Sequence, residues 1–304
     1  MQPLAHADRH EGIERSMNLP LRYLRWAPDR AAPFTEAAFG HREKWVALDP
    51  RAVALVLVDV WNIGWGPALL VADIPLIEEL CVEAGVTFGH RVKQLTQESI
   101  VPAVQVARAA GLTVAHINLP DVLRRYPGWA QADAERQDGG EPQQPQDAGQ
   151  DWPPPQWVQA WRDARQRDML DAGWEARAGR VAAALDIPEP CRPLAGELLV
   201  ASAAQFHRLL RERGVRVLVY AGFWTDACLI HKPGAMEDMC KRGYLCIALR
   251  DATTTREHAE TLEGLWATHA ALDHIEAHLG YTTTTAAFVS ACQALQPPSR
   301  HNDI

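Results

Sequence analysis

Residues 52–60, AVALVLVDV, form a short apolar run, rich in branched side chains, that carries a carboxylate, Asp59, next to its end. A run of this kind suits a strand buried on both faces of a parallel sheet. Over residues 98–110, ESIVPAVQVARAA, the period changes: Ile100, Val104 and Ala107 recur at helical spacing, and Gly111 stops the segment ahead of a second apolar run, LTVAHI. The last third repeats the alternation, with ELLVA, SAAQFHRLLRERG, VRVLVYAG, a helical stretch, YLCIALRDA, and a long helix predicted from about 255 to 278. Strands alternating with helices of this length predict βαβ units, hence a parallel sheet with helices on both faces. Ligands bind such sheets beyond the carboxyl ends of the strands, where Asp59 and the segment around Cys228 both fall.

Two stretches leave the pattern. Residues 1–50 mix charges, prolines and short apolar pieces without a sustained period, which predicts an extension that wraps or pairs with a main domain over 51–296. Residues 130–156 are too rich in Pro, Gly and Gln to bury a core and predict an exposed insertion. Residues 157–185 then read as helical and carry Trp157, Trp161 and Trp174, so the insertion, bounded at about 126–185, is expected to end in a flap packed over the body.

Composition narrows the function. The net charge of −8 is spread without a basic run, which argues against a nucleic-acid partner. No stretch of about 18 uncharged apolar residues occurs, and the polar N-terminus carries Arg9, Arg15 and Arg22 without an apolar leader core, so the expectation is a cytoplasmic protein with no membrane partner. Six cysteines lie scattered at 81, 191, 228, 240, 246 and 292, with no C-x-x-C pair, and are expected to be reduced thiols. Lysine is scarce: Lys44, Lys93, Lys232 and Lys241 are the only ones.

Cys228 follows the strand-like run ending at Gly222 by six residues and stands where the next helix would begin. A helix N-terminus favours a thiolate, so the position suits a nucleophile with a lowered pKa. A buried structural cysteine is the competing reading. Asp59 reads as a base at a strand end or as a carboxylate capping the turn that follows.

The segments GFWTDACL, LVLVDVWN and RGYLCIALRDATTT together resemble the isochorismatase-like cysteine hydrolases, whose nucleophile turn, first-strand aspartate and following D-A-T turn come in this order. With IVPAVQVARAAGLTVAHI, the resemblance covers roughly residues 52–118 and 195–293. It implies a three-layer α/β/α fold around a mostly parallel, Rossmann-like sheet. It also implies a cysteine-dependent hydrolase of a small-molecule amide or related C–N bond, working through an acyl-enzyme. Cys228 would be the nucleophile and Asp59 its general base, with the backbone N–H groups of Trp224 and Cys228 holding the oxyanion. A non-proline cis peptide is implied between Phe223 and Trp224, and a homo-oligomer is implied as well. A non-covalent vinyl-ether hydrolase, or a catalytically altered member that only binds, are the alternatives.

The chain departs from that pattern at the third catalytic residue. The family's lysine would fall in ELLVASAAQF, which has none. Lys232, four residues after Cys228, either fills the role or faces solvent ahead of Pro233; His207, Lys93 and Arg192 are weaker substitutes. No cofactor is implied, and no metal: His116 in AHINLPD lacks a second histidine at ligand spacing, and His269, His274 and His278 read as a solvated helix face. For the substrate pocket the candidates are Asn62, Trp61, Trp65 and Phe223, with Trp129 a more distant one. Trp224, next to the nucleophile turn, is a further one; Trp61 could equally fill the core, and core filling is the stronger reading for the other tryptophans.

Overall fold

A computed structural model of the chain describes residues 16–28, 31–63, 88–138, 152–169 and 183–296. The central run becomes β3 (Val53–Val58), which sorts its side chains by alternation. Val53, Leu55 and Leu57 point into one core with Ile100, Val104, Ala107 and Phe288, while Ala54, Val56 and Val58 point into the other with Phe206, Leu210, Met236, Met239 and Ile275. A strand apolar on both faces therefore forms the middle of a three-layer α/β/α sandwich, as the sequence predicted.

Flanking it are β1 (Met17–Arg25), β2 (Gly40–Leu48), β4 (Thr113–Ile117), β5 (Leu198–Leu199), β6 (Val217–Gly222), β7 (Leu245–Leu249) and β8 (Tyr281–Thr283). They make one eight-stranded sheet in the order β2-β1-β8-β7-β6-β3-β4-β5. From β8 to β5 every neighbour is parallel; β1 and β2 are an antiparallel hairpin added at one edge. The chain builds outward from β3 through β4 to β5, then returns to the other side of β3 with β6. The strand order thus reverses between β3 and β6, and a crevice opens beyond their carboxyl ends.

The helices among the described residues include α1 (Phe88–Leu95), α2 (Val101–Ala109), α3 (Pro120–Leu123), α4 (Trp129–Asp138), α5 (Pro155–Met169) and α6 (Ala203–Glu212). The same series continues with α7 (Cys228–His231), α8 (Met236–Lys241), α9 (Trp266–His274) and α10 (Thr285–Gln293). α6 starts at Ser202, whose hydroxyl accepts from the Gln205 N–H at 3.1 Å while the residue is buried. Ser202→Ala is expected to cost about 1 kcal/mol of unfolding free energy in urea titrations, the usual worth of such a cap.

Several expectations change. The extension does pair: Met17, Leu19 and Leu21 are fully buried in β1. The long helix expected over about 255–278 is instead α9 followed by a π-turn (Ile275–Leu279), because Gly264 and Leu265 both take positive φ and stop any earlier helix. Glu257 caps α9 by accepting from the Ala267 and Thr268 N–H groups, each at 3.0 Å. Residues 129–138, expected to be part of an exposed insertion, form α4, which is held by buried Ala132 and by a 2.8 Å ion pair between Glu135 and Arg208. The helical flap is present as α5, but it buries none of its residues, and Trp157 and Trp161 are exposed. Packing over the body is therefore not seen in α5; Trp174 lies outside the described residues. Among the described residues no helix is long and apolar enough to cross a membrane.

Candidate active site

Gly222 ends β6 opposite Val58, and its φ is 125°. A Cβ there would lie 1.9 Å from the Val58 carbonyl oxygen, so only glycine lets the two strand ends come this close. Asp59 follows Val58 directly with φ 46°, the left-handed region that aspartate tolerates better than most residues. Its N–H donates to the Ile117 carbonyl, and the side chain is 1% exposed. On the other side, the Phe223 N–H donates to Val58 O at 2.8 Å, and the peptide between Phe223 and Trp224 is cis. The chain then turns through Thr225 and Asp226 to Cys228, the first residue of α7.

Lys232 completes the group. Its Nζ donates to Asp59 Oδ1 at 2.5 Å, with 19% of the side chain exposed. The lysine does not ride a continuing helix. α7 is one turn long, and Lys232 leaves it in extended conformation (ψ 153°), as a residue before proline does. That break swings the ammonium back to the strand end. The reading of Lys232 as a solvent-facing residue does not hold. His207, Lys93 and Arg192 are elsewhere: His207 bonds Tyr244, Lys93 is exposed on α1, and Arg192 pairs with Asp186.

The electrostatics differ from those predicted. Burial raises the Asp59 carboxyl pKa against the opposing pull of Lys232 and the Cys228 thiol. The Cys228 thiol is pushed up to about 11 by burial and then by the Asp59 charge and hydrogen bond, which outweigh Lys232 and the Trp224 amide. The expectation of a lowered thiol pKa is corrected: a four-residue helix has little dipole to offer, and a carboxylate next to the sulfur works against it. The resting thiol is protonated and faces a buried carboxylate of raised basicity. Such a pair favours passing the proton as a new bond forms at sulfur. The Trp224 amide points to the sulfur, and the Cys228 N–H has no backbone acceptor among the described residues.

The remaining candidates separate. Trp61 and Trp224 meet edge to face, 6.5 Å between centroids, and the Trp61 indole N–H donates to Asn118 Oδ1. Asn62 spends its amide on the insertion's return, accepting from the Asp186 N–H and donating to the Ala184 carbonyl. The Phe223 ring is fully buried in the apolar core, which corrects the expectation that it lines the pocket. Trp65 lies outside the described residues, and Trp129 packs partly buried against the core. His116 is buried and bonded to Glu197 at 2.7 Å, as a hydrogen-bonded core histidine should be.

Sequence reasoning missed the polar wall. Thr225 Oγ1 bonds Thr253 Oγ1 at 2.8 Å, and the Thr255 hydroxyl donates to Asp226, so the run after Asp251 clamps the nucleophile turn. Buried Arg91 holds the Thr255 carbonyl from α1, and the Arg256 guanidinium lies 3.9 Å over the Trp224 ring. The run of three threonines and an arginine was the available signal; nothing local marked Arg91.

No family model matches the chain. Ureidoacrylate amidohydrolase RutB of Enterobacter sp. (strain 638) is 36% identical over 91 residues, taking in 30% of this chain and 34% of that protein, so the match spans about a third of the relative's length. Solved structures similar to this chain include a cysteine hydrolase from Pseudomonas syringae pv. phaseolicola 1448A, 17% identical, covering 82% of this chain and 96% of that one, with a TM-score of 0.45. An isochorismatase family protein from Desulfovibrio vulgaris subsp. vulgaris str. Hildenborough is 19% identical, covering 80% and 99%, with a TM-score of 0.42. The chain also has a groove at the amino ends of β6 and β7, lined by His207, Arg211, Arg242 and Tyr244, but that is the opposite end of the sheet from Cys228.

Proposed function

We propose that this chain is a cysteine hydrolase that cleaves an amide or ureido C–N bond of a small molecule through a covalent acyl-enzyme. The observation that carries the reading is one buried carboxylate, Asp59, shared by a lysine ammonium at 2.5 Å and the Cys228 thiol at the switch point of the sheet. Cys228 Sγ attacks the carbonyl carbon while its proton passes to Asp59. The oxyanion meets the N–H groups of Trp224 and Cys228, and Lys232 offsets the charge gathering at the site. Asp59 returns the proton to the departing nitrogen, which leaves as an amine or ammonia. Water, deprotonated by Asp59, then attacks the thioester, releasing the acid and the free thiol. No step calls on a cofactor.

Lys232 at the carboxylate supports turnover over a member that only binds. The part-length likeness to RutB suggests ureido acids as a first substrate class to try, with Arg256 over Trp224 as a cation at the mouth. The test is to incubate the protein with a ureidoacrylate-type substrate, quench in acid and map Cys-containing peptides by mass. An acyl adduct confined to the Cys228 peptide, absent in Cys228→Ala, is expected. Product formed at full rate without any adduct, and undiminished in Cys228→Ala, would instead mark non-covalent chemistry.

A further inference from the structure

A second cluster sits at the far edge of the sheet, where the N-terminal hairpin joins the domain. We propose that His41, Asp273 and Glu276 bind a divalent transition-metal ion that clamps β2 to the α9 end. His41 Nε2 stands 2.9 Å from Asp273 Oδ1 and 3.1 Å from Glu276 Oε2, and the three ligand atoms lie within 4.8 Å of one another. Ligands bound at about 2.0–2.2 Å around one ion are themselves about 3–3.5 Å apart, so His41 Nε2 already stands near ligand spacing from both carboxylates.

The second, independent observation is the state of Glu276. The residue is 4% exposed. Its Oε1 is taken by Arg22 Nε at 2.7 Å and by the Thr282 hydroxyl, yet Oε2 is buried without a hydrogen bond. A single ring nitrogen, His41 Nε2, faces both carboxylates and has at most one hydrogen to offer them. A buried carboxylate oxygen left without a donor is costly, and a cation at this point would satisfy it. Arg22 on Oε1 would then orient the ligating carboxylate, as outer-shell partners of metal ligands do. Arg250, the other cation facing the cluster, is met by Asp251 and Glu43 as well as Glu276. One imidazole with two carboxylates suits Zn²⁺ or Co²⁺ better than Mg²⁺ or Ca²⁺, which prefer oxygen alone.

The placement gives the ion a task. β1 meets β8 through a single register pair, Arg22 with Thr282, so main-chain bonding holds the hairpin only lightly. The three ligands come from β2, α9 and the π-turn after it, and would knit those elements together. Cys228 lies beyond β6, on the other side of β8 and β7, so the clamp is independent of the proposed hydrolase.

The test uses the full chain, stripped with chelator and titrated with Zn²⁺ by calorimetry, then with Co²⁺ by visible absorption. His274 and His278 share an exposed helix face, with rings 5.0 Å apart, and could hold an ion by themselves. His274→Ala/His278→Ala is therefore the control. Expected are one tight site unchanged in that control, and affinity at least about tenfold weaker in His41→Ala and in Asp273→Asn. Zn²⁺ is expected to raise the melting temperature of the parent but not of His41→Ala. Both substituted side chains are partly exposed, at 40% and 48%, so the variants should fold. Failure of the parent to bind, or binding lost in the control and kept in His41→Ala, overturns the proposal.

Discussion

Asp59→Asn is expected to make Cys228 react faster with iodoacetamide at pH 8 while stopping hydrolysis. The two effects separate because the carboxylate does two opposite things to the same sulfur. In the resting protein its charge and hydrogen bond help burial to push the thiol up to about 11, so at pH 8 only about one molecule in a thousand is thiolate. Removing a charge this close lowers a neighbouring pKa by roughly 1–3 units, and it also leaves the Lys232 ammonium free to pair with sulfur. The less basic thiolate is a somewhat poorer nucleophile, which returns about half of the gain on a logarithmic scale. A net acceleration of about tenfold remains. Turnover should fall by roughly 10²–10⁴, since the variant has no group to carry the thiol proton to the leaving nitrogen. Peptide mapping distinguishes Cys228 from the other cysteines, of which Cys191, Cys246 and Cys292 are buried. If the substitution slowed alkylation instead, Asp59 would already hold the proton of a resting thiolate, and proton transfer would precede attack rather than accompany it.

This result also marks the boundary of what the sequence could convey. The apolar runs before Asp59 and before Gly222 are local signals, and they correctly placed both strand ends and the crevice between them. The pKa of Cys228 is not local, because it is set by a carboxylate far earlier in the chain that the fold brings to the sulfur. Reasoning from the helix N-terminus alone led to the wrong sign. Lys232 is an intermediate case. Counting four residues along a helix picked out the lysine that stands at Asp59, but by the wrong route, since the helix ends before it; Pro233 was the visible cue that Lys232 would be extended. Gly264 was a similar cue against the long helix over 255–278. Arg91 and Glu276 had no cue, as each matters through partners far along the chain.

Lys232→Met should cost about 3 kcal/mol of stability at pH 8, with the loss shrinking as the pH is lowered. The ammonium is the partner that offsets the burial of Asp59, and removing one member of a buried pair leaves an uncompensated charge worth about 3–5 kcal/mol. The sign of the pH dependence follows from the direction of the shift. Asp59 already has a folded-state pKa above its unfolded value of 3.8, and methionine raises it further. A carboxyl shifted upward penalises the folded state once the unfolded chain ionises, so stability is greatest in acid and declines as pH rises through the folded pKa. Urea titrations of parent and variant at pH 5 and pH 8 should therefore differ more at pH 8. A deficit of equal size at both pH values would mean that the lysine contributes packing along its aliphatic stem rather than charge. The thiol gives an independent reading of the same substitution: without the ammonium its pKa should rise, and alkylation at pH 8 should slow, opposite to the effect of Asp59→Asn.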